Sequence, residues 1–510
     1  MTLTTMTSST KTPTMTRTTR TRTRADTRLV DGTLVAELSA SLSPDRVHND
    51  HLEQVLYGRD ASLMRGDAGV VCFPLTTAEV QACVRAALRH DRAIVPRGSG
   101  TGLAGGAVPL EQPLLIVTTK MTGIEVDLDN RVVWVQPGVI NLDLTRHLKP
   151  LGFHFAPDPS SQQSCSLGGN VANNSGGPHC LAYGVTSAHV VAIEVVLPNG
   201  ELAVLGGLGA DPAGVDLRGA FVGSEGCMGI ATRIAVRLTP NPPAVATLLA
   251  DFVEPAQAAA AVSAIIAAGV VPAAIEMMDQ RITQAVEAFV GAGYPTDAGA
   301  IVLVEVDGLP GGVAFETEKV REVCMAQGAR SVRVAADEAE RMLLWKGRKT
   351  AFGAVARVKP NYYLHDTVVP RTKLLDVLRQ VYAIADRHDL IVMNVFHAGD
   401  GNLHPLLVFD AREPGILDRV HAAGEEIVRA SLEAGGVLSG EHGIGLEKQP
   451  FMALQFTQPD LDAQARLRDA FDPDGRCNPA KVLPAGSRCG DLAHLDAHHR
   501  ERLLADGVWV

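Results

Sequence analysis

The sequence has no excess of basic charge. Over 510 residues its formal net charge is −11, the wrong sign for a protein that must present a basic face to nucleic acid. It also has no C-x-x-C pair. The eight cysteines, at 72, 83, 165, 180, 227, 324, 477 and 489, stand singly, so zinc ribbons, thioredoxin chemistry and cysteine-held iron–sulfur clusters are unsupported. Thiols scattered in this way point to a reducing compartment and to burial. Long apolar runs are missing too. The longest, residues 258–271, is mostly alanine, contains Ser263 and is stopped by Pro272. That is short of the roughly 20 residues of a membrane span and reads as a packed helix, so the expectation is no direct span. The Thr/Arg-rich residues 1–24 contain neither an apolar core nor an Arg–Arg pair, which excludes secretory and twin-arginine signals. Their composition is like that of an organellar transit peptide. The reading adopted is a disordered leader over residues 1–45.

What is present is enough for two or three domains. Hydrophobic residues make up 46% and charged residues 20%, as in an ordinary globular protein. Residues 96–106 read PRGSGTGLAGG and follow a short apolar run at 93–95. A loop so poor in side chains lets backbone N–H groups converge on an anion, which makes it a candidate phosphate cradle. The embedded G-x-G-x-x-G at 100–105 would need to open a helix to bind NAD. Gly105, Gly106 and Pro109 break any helix, and residues 114–118 read as a strand. The NAD reading is rejected.

Elsewhere a capping box at Thr76–Glu79 predicts a helix over 80–90. The small polar stretch 157–184 predicts a long functional loop. Pro198-Asn199-Gly200 predicts a hairpin. The prolines at 240, 242 and 243 place a domain boundary near 241. The expected division is a first domain over 46–241, a second over 242–484 and a tail over 485–510. In the second, residues 337–358 read as one amphipathic helix with Arg341, Trp345, Arg348 and Phe352 on one face.

The second domain holds the candidate chemistry. In HAGDGNLH, residues 397–404, Asp400-Gly401 predicts a two-residue hairpin turn. His397 would then face His404, with Cβ atoms about 4.5–5.5 Å apart, a separation that suits two ligands of one metal ion. Glu441, in SGEHGIG at 439–445, supplies a carboxylate candidate, and two His plus a carboxylate leave positions open for substrate. His442 is a candidate base, because imidazole titrates near neutrality. Arg348, if inward-facing, needs an anion: a protein carboxylate or, bidentately, a substrate carboxylate.

Together these stretches resemble the FAD-linked oxidases of the vanillyl-alcohol oxidase/PCMH type, and within them the 2-hydroxy-acid dehydrogenase branch that includes the FAD-binding subunits of glycolate oxidase. PRGSGTGLAGGAVPLE, CSLGGNVANNSGGPHCLAYG, IEMMD, WKGRKTAF, NVFHAGDGNLHP, SGEHGIG and FDPDGRCNP carry the likeness, which runs from about Tyr57 to Pro484. It implies an α+β architecture: a PCMH-type FAD-binding domain of two subdomains, then a C-terminal substrate domain. It implies that Arg97, Gly98, Ser99, Gly100, Thr101 and Gly102 cradle the FAD pyrophosphate. Pro157, Ser160, Ser161, Gly168, Asn170, Asn173, Ser175, Gly176, Gly223, Glu225, Gly229 and Ile230 would line the rest of the flavin, and Asn478 would reach it from the C-terminal end. No histidine lies in the glycine loop, so the FAD is expected to be non-covalent. His397, His404 and Glu441 then match ligands of a divalent ion, zinc foremost, His442 a base and Arg348 a carboxylate anchor. Relatives acting on a longer diacid carry threonine where this chain has Phe352, which favours a small monocarboxylate.

The implied reaction is oxidation of glycolate, or D-lactate, to the 2-oxo acid, with hydride passing to flavin N5. Electrons would leave through a partner, expected to be a second FAD-binding subunit and an iron–sulfur subunit. The expected location is cytoplasmic, with any association with an inner membrane made through those partners. The alternatives are a stand-alone D-lactate or D-2-hydroxyglutarate dehydrogenase, a metal hydrolase with merely structural glycine loops, and a non-catalytic flavin carrier.

Overall fold

The computed structural model describes residues 24–209 and 214–484. The leader over 1–23 and the tail over 485–510 lie outside the described residues.

The architecture is α+β. A four-stranded sheet runs in the order Val47–His48, Val71–Cys72, Leu114–Val117, Ile94–Arg97. Its last three strands are parallel, and the capped helix Thr77–Arg89 makes the right-sized crossover between two of them. A five-stranded antiparallel sheet follows, ordered Ile124–Asp127, Val132–Val135, Ile230–Arg237, Val190–Val196, Leu202–Gly206. The expected disordered leader is corrected here over its described part, from residue 24 on. Residues Arg24–Ser41 form a helix. Leu34, Leu38 and Leu42, spaced four apart on one helical face, are buried against Val80, Cys83 and Val84 of the capped helix. The Thr/Arg composition just upstream hid that apolar stripe.

The second half is built on a nine-stranded sheet. At its centre Ala274–Asp279 lies between Ala300–Gly308 and Ile391–His397. Both faces are covered. Helices Pro255–Ala267, Pro310–Ala326, Leu374–Arg387 and Ile416–Glu433 pack on one, and Gln280–Val290, Glu338–Lys349 and Ala351–Val355 on the other. Strand Ala300–Gly308 shows why its sequence is a near-continuous apolar run. Ala300, Val302 and Val304 enter one core, while Ile301 and Leu303 enter the other.

Three local expectations are corrected. The stretch 157–184 is not structureless, since it contains helices Leu167–Asn173 and Cys180–Tyr183. The helix predicted over 337–358 is two helices that meet at Thr350. The hairpin register is displaced by two residues: His397 pairs with Asn402 and Asn394 with Pro405, so residues 398–401 form the loop. Strand Thr367–Val368 pairs with Asn402–Leu403, and Val369 N–H donates to the Gly401 carbonyl, which draws the turn open. Strand side chains alternate with period two, so a two-residue displacement leaves His397 and His404 on one face as diagonal neighbours.

Candidate active site

Strand Ile94–Arg97 delivers the glycine loop to a cleft lined by residues from both halves of the chain. Arg97, Gly98, Ser99, Gly100, Thr101 and Gly102 line it, with Ser160, Ser161, Gly168, Asn170, Asn173, Ser175, Glu225, Gly229 and Ile230. At its other end stand Lys349, Phe352, Tyr362, His404, Glu441 and His442. The cradle is side-chain-free for a reason. A Cβ on Gly98 would strike Ser166 Oγ, and Gly100 has φ +73° with the Arg97 guanidinium where its Cβ would point. Arg97 is buried, and its Nε has no hydrogen-bond partner. A cation held under a bare loop fits an anionic pyrophosphate.

The remaining predicted flavin residues stand behind the lining. Asn478 is buried and does not line the cleft. Its Nδ2 donates to the Gly106 carbonyl at 2.8 Å and the Glu225 carbonyl at 2.7 Å, which pins the glycine loop to the 223–226 turn. Pro157 accepts from Asn141 Nδ2. Gly223 donates to Val171 O and has φ +85°. A Cβ on Gly176 would meet Glu441 Oε2 at 2.8 Å. Glu225 spans the two halves, accepting from Ile444 N at 2.6 Å and Gly445 N at 2.8 Å. Burial pushes its carboxyl up to about 7. Asn173 Nδ2 donates to the His442 carbonyl at 2.7 Å.

His397, His404 and Glu441 come together. The imidazole centroids lie 5.1 Å apart, and Glu441 Oε1 is 3.2 Å from His397 Nε2 and 3.6 Å from His404 Nε2. His404 is 1% exposed, and neither ring nitrogen has a hydrogen-bond partner. A buried imidazole left unsatisfied in this way fits a metal ligand. Burial opposes the ionised forms, yet Glu276 and Glu441 hold His397 well above its ordinary value. Chiefly through His397, Glu441 is brought down to about 2. A divalent cation would take the place of that proton. Asp366, His404 and His442 are also mutually close, but Asp366 is already committed. It accepts from the backbone N–H groups of Gly440, Glu441 and His442, from Ser439 Oγ at 2.6 Å and from Lys448 Nζ at 2.8 Å.

His442 lies over His404, with ring centroids 5.1 Å apart and planes 16° apart. Burial lowers its pKa to about 4, so near neutrality the ring is uncharged. Arg348 is fully buried and absent from the cleft lining. Its Nε donates to Glu276 Oε2 at 2.6 Å, while Nη1 and Nη2 have no partner. Of the two anions foreseen for it, the protein carboxylate is present at one edge, and two donors are left over. Sequence reading missed Asp60 and Lys349, which line the cleft, and Glu276 and Asp366. The signal for Glu276 was a carboxylate inside the otherwise apolar run AIEMM, which demands a buried cation.

Solved structures share this fold. 4-Ethylphenol oxidase from Gulosibacter chungangensis superposes with TM-score 0.75 at 19% identity, covering 90% of this chain and 98% of that one. p-Cresol methylhydroxylase gives 0.75 at 16% identity, covering 89% and 96%. Residues 68–206 match the FAD binding domain and residues 241–482 the C-terminal domain of FAD linked oxidases. Glycolate oxidase subunit GlcD of Escherichia coli (strain K12) is 44% identical over 431 residues, 84% of this chain and 86% of that protein. The Bacillus subtilis (strain 168) protein of the same name is 39% identical over 448 residues, 87% and 95%. A probable mitochondrial D-lactate dehydrogenase of Danio rerio is 32% identical over 441 residues, 84% and 87%. The chain belongs to the FAD-linked oxidase family and is an FAD-dependent oxidoreductase. Among the described residues, no helix is long and apolar enough to cross a membrane.

Proposed function

We propose that this chain oxidises a small 2-hydroxy acid, glycolate first and D-lactate second, to the 2-oxo acid. The observation that carries the reading is the single cleft joining the flavin cradle to His404, Glu441 and His442. FAD, held non-covalently by Arg97 and the glycine loop, supplies the acceptor for the hydride leaving Cα. His397, His404 and Glu441 would hold a divalent cation, zinc foremost, whose charge favours ionisation of the substrate hydroxyl. The Nη1 and Nη2 groups of Arg348 bind the substrate carboxylate as a fork. The neutral imidazole of His442 takes the hydroxyl proton. Phe352, its ring centroid 6.4 Å from that of His404 and 6.5 Å from that of Tyr362, presents apolar surface to the cleft and offers no polar contact of its own to a second carboxylate.

Two of the curated relatives are glycolate oxidase subunits. They support assembly with partner subunits that carry electrons onward, expected to be a second FAD-binding subunit and an iron–sulfur subunit. This fits the absence of C-x-x-C spacing here. Any membrane association is made through those subunits, with this chain on the cytoplasmic side. The domain division at 241 and 484 is retained as part of the same reading. The test is turnover of glycolate with an artificial dye acceptor. Arg348→Ala and His442→Ala are expected to abolish it while FAD is retained. Normal turnover in both variants would refute the site assignment.

A further inference from the structure

Glu276 lies in strand Ala274–Asp279 and is 1% exposed. Its two oxygens face opposite ways. Oε1 accepts from His397 Nδ1 at 2.7 Å, and Oε2 accepts from Arg348 Nε at 2.6 Å. The strand register sets Glu276 directly across from His397, and Arg348 descends from helix Glu338–Lys349, which packs on that face of the sheet. All three side chains are buried, none more than 3% exposed. One carboxylate therefore joins a candidate cation ligand to the candidate substrate anchor.

We infer that Glu276 is a positioning residue that couples the cation site to the carboxylate clamp, an inference that rests on the function proposed above. Two consequences of its geometry carry this. With the Nδ1 proton donated to Glu276, the lone pair of His397 is left on Nε2, the nitrogen 3.2 Å from Glu441. The tautomer and ring angle needed for ligation are set by that bond. On the other side, fixing Nε of Arg348 fixes the plane of the guanidinium. Nη1 and Nη2, buried without partners, are then the rigid fork offered to a substrate carboxylate. Each oxygen of the carboxylate holds one of the two donors, so a movement of Glu276 is felt by both.

The direct test is Glu276→Gln in the FAD-loaded full chain. An amide offers one acceptor oxygen and turns an N–H toward the second donor, so one bond is replaced by a donor–donor clash. Zinc affinity, measured by competition with a chromogenic chelator, is expected to fall about 10–100-fold. The KM for glycolate is expected to rise together with it, with the FAD-to-protein ratio unchanged. Glu276→Asp keeps the charge but shortens the reach. It is expected to show the same paired shifts at smaller size, and it serves if the Gln variant does not fold. Unchanged zinc affinity and unchanged KM in a folded variant would overturn the inference, as would a loss of FAD alone, which is what a merely structural role predicts. His397→Ala separates the two readings. If it loses zinc while the Glu276 variants do not, the coupling is wrong and the cation site stands. If it binds zinc as tightly as the unaltered chain, the cation site is wrong and the coupling falls with it.

Discussion

Asp366→Asn tests how the loop carrying Glu441 and His442 is held. Asp366 has no exposed surface, and Lys448, its ion-pair partner at 2.8 Å, is 3% exposed. Three consecutive backbone N–H groups, of Gly440, Glu441 and His442, also end on this carboxylate, at 3.1, 3.2 and 3.0 Å to its nearer oxygen. Neutralising it strands a buried ammonium, for which breaking a buried pair costs about 3–5 kcal/mol. Each loop N–H left unmade adds about 1–3 kcal/mol. An amide oxygen still accepts some of those N–H groups, so the lower end is expected, about 3 kcal/mol, read from the denaturant midpoint of the FAD-loaded protein. Zinc retention and turnover should fall as well, because the loop bearing Glu441 loses its anchor. The double variant Asp366→Asn with Lys448→Met removes the stranded charge. It should recover about 2 kcal/mol of stability and none of the zinc retention. A single variant within about 1 kcal/mol of the unaltered protein, or a double variant no more stable than the single, would refute the argument.

Two further outcomes are expected. His179 links the two halves, with Nδ1 2.9 Å from Asp158 and Nε2 3.2 Å from Glu305; Lys349 and Arg341 pair with the same carboxylates, and His154 stands nearby. Burial opposes its charge, but the carboxylates raise its pKa from 6.5 to about 10, so its stabilisation is complete below pH 6.5 and disappears as pH rises through 10. Asp158 and Glu305 are depressed, Glu305 to about 2, so their share is present above the ordinary carboxylate range and is lost as pH falls through those depressed values. The gap in denaturant midpoint between the unaltered chain and His179→Ala should therefore shrink from pH 7 to pH 10, and a constant gap would contradict the assignment. Phe352→Thr should raise kcat/KM for D-2-hydroxyglutarate relative to glycolate by about 10–100-fold, since it opens the apolar wall and adds a polar contact. An unchanged ratio in dye-linked assays would remove Phe352 as the size filter.

The features legible in the sequence were those carried by local spacing. The glycine loop stood out by its lack of side chains, and it does line the cleft. The histidine pair announced its shared face by parity, which survived a two-residue error in register because the strand period is two. The error came from a contact the hairpin does not contain: strand Thr367–Val368, paired with Asn402–Leu403. Glu276 and Asp366 stayed hidden for the same reason. Their partners lie 72 to 121 positions away for Glu276 and 73 to 82 for Asp366, and no short window relates them. The N-terminal helix was missed because composition was weighed over the four-residue spacing of Leu34, Leu38 and Leu42.

The most direct test of the central reading is the flavin spectrum under anaerobic conditions. The purified protein should be yellow, and glycolate should bleach its flavin absorbance, with D-lactate slower and D-2-hydroxyglutarate slowest. An oxidised spectrum that persists with all three acids, or bleaching by the diacid alone, would contradict a site built for a small 2-hydroxy monocarboxylate.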